Sequence, residues 1–65
     1  MPVVKVEWIA GRSYEQKQTL AREITDSMAR VTGLDAANIW VVFEDVPREN
    51  WSVGGKLRGE PKAEK

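Results

Sequence analysis

The chain has 65 residues, with ten basic and ten acidic side chains that cancel and with neither cysteine nor histidine. A domain of this size buries only about 60% of its unfolded surface and usually needs disulfides, a metal or self-association to be stable. The composition excludes disulfides, zinc sites and Ser-His or Cys-His catalysis, which leaves self-association, and three tryptophans suit interfaces. Zero net charge gives no steering towards nucleic acid or an anionic membrane. Lys5 and Glu7 interrupt the short apolar start and no run approaches membrane-spanning length, so a cytoplasmic protein is expected.

Residues Pro2 to Ile9 read as a strand, with Val4, Val6 and Trp8 on one face and Val3, Lys5, Glu7 and Ile9 on the other. Ala10-Gly11-Arg12 breaks it. Ser13-Tyr14-Glu15-Gln16 has the form of a capping box, and from there to Thr32 the pattern is helical, with Leu20, Ile24, Met28 and Val31 on one face. Lys17, Arg22, Glu23, Asp26 and Arg30 fall largely on the remaining surface. Gly33 suits the left-handed position that closes a helix.

A polar connection, Asp35 to Asn38, leads to a second strand, Ile39-Trp40-Val41-Val42-Phe43, apolar on both faces as for a strand covered on both sides. Pro47 places a turn or single tight helical turn over Val46–Asn50. Trp51 to Leu57 reads as a short hairpin turning at Gly54-Gly55, a pair without the spacing of a phosphate loop. Residues 58–65 form a charged tail, expected to be mobile.

The fold class is therefore α/β (α+β): one βαβ unit with parallel strands, plus a short C-terminal β-hairpin, in a single domain over residues 1–65. Two strands and one helix leave a sheet face and edges uncovered, so a second copy of the chain is expected there.

Chemistry centres on Met1-Pro2. Removal of Met1 exposes a secondary amine in a rigid ring, and α-amino groups titrate near about 8, close enough to neutrality for acid–base catalysis. Arg12, in the loop after the first strand, offers a guanidinium fork for a carboxylate. Trp40 and Trp51 are packing residues or walls of a site. The acidic residues form no close pair of the glycosidase kind.

Pro2 opening a strand, Gly11-Arg12-Ser13 followed by Glu15-Gln16-Lys17, the capped helix, the short second strand and Gly54-Gly55-Lys56-Leu57 together resemble the 4-oxalocrotonate tautomerase family over residues 2 to about 57. The resemblance implies a cofactor-free isomerase of aromatic hydrocarbon catabolism, a homo-oligomer of βαβ dimers that assemble as a trimer of dimers. It implies that the Pro2 amine shuttles a proton between a dienol and the α-carbon of a small unsaturated 2-keto acid. By the same resemblance Arg12 binds a substrate carboxylate, Trp51 forms an apolar wall, and the main chain near Ile9 lines the site. No metal is implied, and the partner is a small-molecule carboxylate.

The chain departs from that pattern at Trp40, where the best-known members have a second arginine. An indole offers one N–H and no charge. Asn38, or Arg48 or Arg58 of another subunit, are candidates to substitute, or else the substrate differs and Trp40 stacks against it. Two other functions fit the same chain. One is a haloacrylate dehalogenase or hydratase, needing a carboxylate such as Glu44 or Glu49 to activate water; the other is a non-catalytic oligomeric binding protein that keeps Met1.

Overall fold

The computed structural model describes residues 1–59. Strand β1 (Val3–Ile9) leads through a short loop to helix α1 (Tyr14–Thr32). A 3-10 turn (Ala36–Asn38) then delivers β2 (Trp40–Val46), a second 3-10 turn (Arg48–Asn50) follows, and the hairpin strands β3 (Ser52–Val53) and β4 (Lys56–Leu57) close the chain. β1 and β2 pair in parallel from Val3 opposite Trp40 to Ile9 opposite Val46, and β3 and β4 pair antiparallel. This is the βαβ unit with a terminal hairpin expected above.

Local chemistry sets each boundary. The Ser13 hydroxyl accepts from the Gln16 N–H at 3.1 Å while the Gln16 side chain accepts from the Ser13 N–H at 3.0 Å, so the capping box closes reciprocally. At the other end Gly33 has φ 78°, and its N–H donates to the Ala29 carbonyl at 2.9 Å. Asp35 caps the first 3-10 turn through the Ala37 N–H at 3.1 Å. Gly54 and Gly55 both have positive φ, 61° and 86°, which is what a two-residue hairpin turn matching strand twist requires.

The second strand begins at Trp40, one residue later than the apolar run, because Ile39 caps the 3-10 turn and turns inward. It also runs on to Val46, since β1 offers a ladder that far. Ile39, at 7% exposure, is the one buried hydrophobic residue among the described residues. The rest of the packing is half-buried: Val4, Val6 and Trp8 of β1 lie beside Val41 and Phe43 of β2, with the Trp8 and Phe43 rings stacked at 5.4 Å between centroids. Val4 and the helix residues Leu20, Ile24, Met28 and Val31 line an open groove of about 500 Å³ that the protomer leaves unfilled. Val31 is 75% exposed there, so the apolar helix stripe extends past what its own sheet covers.

On the sheet face away from α1, Val3, Trp40 and Val42 are exposed, and Lys5 pairs with Glu44 at 2.8 Å. Of the tail, Arg58 donates its N–H to the Trp51 carbonyl at 2.8 Å and Gly59 lies against the Arg48 side chain; residues 60–65 lie outside the described residues. Among the described residues no helix is long and apolar enough to cross a membrane.

Candidate active site

Pro2 stands just before β1 and enters the ladder through its carbonyl oxygen, which accepts from the Trp40 N–H at 3.0 Å. Its ring nitrogen takes no part in sheet pairing. Met1 projects from it at 72% exposure. Parallel pairing of Val3 with Trp40 puts the Trp40 side chain, 52% exposed, on the sheet face it shares with Val3, one residue along from Pro2, and Asn38 precedes it in the 3-10 turn. One end of the strand pair therefore gathers Pro2, Trp40 and Asn38.

The other end gathers Ile9 and Arg12. Gly11, with φ 142°, lets the chain reverse direction as β1 ends, a conformation that disfavours side-chain-bearing residues. The reversal carries the Arg12 guanidinium over the Trp8 ring at 4.8 Å from its centroid, within cation–π range. Arg12 Nη1 donates to the Ile9 carbonyl at 3.1 Å. Among the described residues the ion pairs are Lys5–Glu44 and Lys17–Asp45, so Arg12 has no carboxylate partner there. Trp51, half-buried, follows the 3-10 turn beyond the end of β2, its N–H donating to the Arg48 carbonyl at 3.2 Å.

These two ends do not meet in one protomer. β1 spans seven residues, and at the ordinary strand rise Pro2 and Ala10 are separated by roughly 25 Å. An arginine side chain cannot bridge that gap, so Arg12 lies near the Pro2 nitrogen only if another copy of the chain supplies it.

Sequence reasoning missed a cluster beside Arg12. Trp8 Nε1 donates to Asp45 Oδ1 at 2.6 Å, and Lys17 reaches from the first turns of α1 to pair with Asp45 Oδ2. Lys17 is half-buried here, a correction to its expected place on the open surface. Hydrogen bonding from Lys17 first, then from Trp8, holds the Asp45 carboxyl below the usual range, with a smaller contribution from the charge of Arg12. The signal was available only through register: Asp45 faces Trp8 once the strands are aligned in parallel. On the opposite sheet face the Lys5 hydrogen bond and charge lower Glu44, and Glu44 raises Lys5 in turn. Among the described residues no three His, Cys, Asp or Glu side chains are grouped as metal ligands.

The family model for tautomerase enzymes matches residues 2–60. A probable tautomerase from Ralstonia nicotianae is 43% identical over 60 residues, which is 92% of each chain. The 2-hydroxymuconate tautomerase of Comamonas testosteroni is 36% identical over 55 residues, covering 85% of this chain and 87% of that one. Among solved structures, a 4-oxalocrotonate tautomerase homologue superposes with a TM-score of 0.88 at 32% identity, over 97% of this chain and 100% of that one. A heterohexameric 4-oxalocrotonate tautomerase from Chloroflexus aurantiacus gives a TM-score of 0.83 at 31% identity, over 95% and 100%. With strand order, helix caps, hairpin and family match in agreement over nearly the whole chain, this protein belongs to the tautomerase family, a family of isomerase-type enzymes.

Proposed function

We propose that the protein is a cofactor-free enol–keto tautomerase acting on small unsaturated 2-hydroxy and 2-keto acids, with the Pro2 amine as base and then acid once Met1 is removed. The observation that carries this reading is the placement of Pro2: its carbonyl starts the β1–β2 ladder while its nitrogen stays outside it, so removal of Met1 would free a secondary amine without breaking a rung. The free amine takes the proton from the 2-hydroxyl of the dienol, electrons move along the conjugated system, and the same nitrogen returns the proton to carbon. Overall the molecule loses and gains one proton and no redox change occurs.

The assembled site takes Pro2 and Trp40 from one copy of the chain and Arg12 from another, the separation of roughly 25 Å along the strand being the reason. The guanidinium holds the substrate carboxylate, and Trp40 and Trp51 supply apolar walls. A homo-oligomer is thus part of the function, and the exposed Val3, Val42 and Val31 supply apolar surface for it. Trp40 brings an indole in place of a second cation to the end of the sheet that carries Pro2, which favours substrates with one carboxylate and an apolar or aryl tail over dicarboxylates. Of the two carboxylates that a dehalogenase would draw on, Glu44 is tied to Lys5, while Glu49, in the second 3-10 turn, is in neither ion pair found among the described residues.

The test is intact mass of the expressed protein combined with an ultraviolet assay on phenylenolpyruvate and 2-hydroxymuconate. Turnover by protein lacking Met1, lost in Pro2→Ala, is the expected result. Full activity with Met1 retained, or in Pro2→Ala, overturns the reading.

A further inference from the structure

Asp45 lies on the helix side of β2, and both its carboxylate oxygens are occupied, Oδ1 by Trp8 Nε1 at 2.6 Å and Oδ2 by Lys17 Nζ. The Arg12 guanidinium sits over the same Trp8 ring yet forms no ion pair with Asp45. An unoccupied carboxylate that close to an arginine would be expected to claim it through two parallel charge-assisted hydrogen bonds, in the geometry a substrate carboxylate needs. Lysine suits the blocking role, because its ammonium is a compact charge that satisfies one oxygen. Tryptophan suits the other, because its Nε1–H only donates and its ring face holds a cation without neutralising it. The Ile9 carbonyl takes Nη1 at 3.1 Å, which orients the guanidinium while leaving the rest of its fork uncommitted.

We propose that Lys17 and Trp8 are positioning residues that occupy Asp45 and so keep Arg12, seated on the Trp8 ring, open to a substrate carboxylate. The inference rests on the reading of Arg12 as the carboxylate clamp. Lys17 then acts at a distance from substrate: it removes an internal competitor. Trp8 serves twice, as second donor to Asp45 and as the platform for Arg12.

The experiment compares Lys17→Met, Asp45→Asn and the double variant Lys17→Met/Asp45→Asn in the full chain, with phenylenolpyruvate as the probe and kcat and KM measured separately. Freed from Lys17, Asp45 captures Arg12, so Lys17→Met raises KM on the order of tenfold, with the larger effect on KM than on kcat. Asp45→Asn removes a negative charge near the clamp and lowers KM about twofold. The double variant has no competitor to block, and its KM returns to within roughly threefold of the parent, the coupling being read as a double-mutant cycle. A purely structural ion pair predicts the opposite pattern, both single variants impaired alike and the double no better. Direct binding of substrate by Lys17 predicts no rescue in the double. Either pattern overturns the proposal, and should Lys17→Met fail to fold, a raised KM in Asp45→Asn does so by itself. Arg12→Ala separates the two layers: an unchanged KM there removes the clamp itself, whereas a raised KM without the Lys17–Asp45 rescue removes only the positioning role.

Discussion

The backbone N–H of Trp40 donates to the carbonyl of Pro2 at 3.0 Å, so the first rung of the parallel ladder holds the proline without touching its nitrogen. On the proposed mechanism, structure and chemistry use different atoms of one residue. Replacing the ring with an alanine preserves the carbonyl rung and changes the amine.

Pro2→Ala, with Met1 removed, should therefore keep the folded circular-dichroism spectrum and the melting temperature of the parent. Turnover of phenylenolpyruvate should fall by about 10²–10⁴, the usual contribution of a positioned acid–base group. Stopped initial-rate assays on protein of verified mass check both halves.

Trp40→Arg places a guanidinium at the end of the sheet that carries Pro2. The ratio of kcat/KM for 2-hydroxymuconate over that for phenylenolpyruvate should rise on the order of tenfold or more, since one preorganised charge at a developing oxyanion is worth about 10²–10³ in rate. Loss of the indole face should at the same time reduce turnover of the aryl substrate. An unchanged ratio would separate Trp40 from substrate selection.

Acid should loosen the end of the sheet that carries Arg12. The Asp45 carboxyl is lowered from its ordinary value of 3.8, mainly by the Lys17 hydrogen bond, so its contribution is present above that value and is lost as pH falls through the lower folded value. Lys5 runs the other way. Glu44 raises it from 10.5, so its contribution is present below 10.5 and is lost as pH rises through the higher folded value. Denaturant midpoints followed against pH should show the acid limb flattened in Asp45→Asn and the alkaline limb flattened in Lys5→Met, each by a small amount because both pairs face solvent.

Ser13→Ala removes the hydroxyl that accepts from the Gln16 N–H, and should destabilise the protein by about 1 kcal/mol. Ser13→Asp should recover most of the loss, because a carboxylate accepts the same bond at the positive end of the helix. Chemical denaturation of the three proteins decides this.

Val42→Asp should convert an assembled protein to smaller species and abolish turnover together with assembly, since Pro2 and Arg12 of one chain cannot meet. Sedimentation velocity and activity measured across a dilution series should fall in step. Activity in a monomer would refute the shared site.

Much of the fold was legible because its signals are local. The capping box at Ser13–Gln16, the glycine at position 33 and the Gly54-Gly55 turn each depend on a few neighbouring residues, and each stands where the pattern placed it. The alternation of Val4, Val6 and Trp8 likewise put them on one face of β1, which the structure turns towards the helix. What sequence could not give was register. The pairing of Val3 with Trp40 and of Trp8 with Asp45 is fixed by the packing of a nineteen-residue crossover, which no local pattern encodes. Hence Lys17 looked like a solvated helix charge, and the separation of Pro2 from Arg12 was hidden by their nearness along the chain. The family resemblance named both residues as parts of one site, and only the length of β1 shows that they stand far apart within one chain.

Among the described residues Ile39 is the one buried hydrophobic side chain, and that has a bearing on which substitutions this protein can accumulate. Tolerance judged from a single chain would rank Val3, Val31 and Trp40 among the freely variable surface. If neighbouring copies cover them, those positions behave as interior ones, and a polar change at any of them is felt at every copy in the particle at once. A lineage altering one such contact would need a matching change on the facing surface of the same gene product, so drift there should proceed in linked steps, while Arg22, Asp26 and Arg30 on the outer helix vary one at a time.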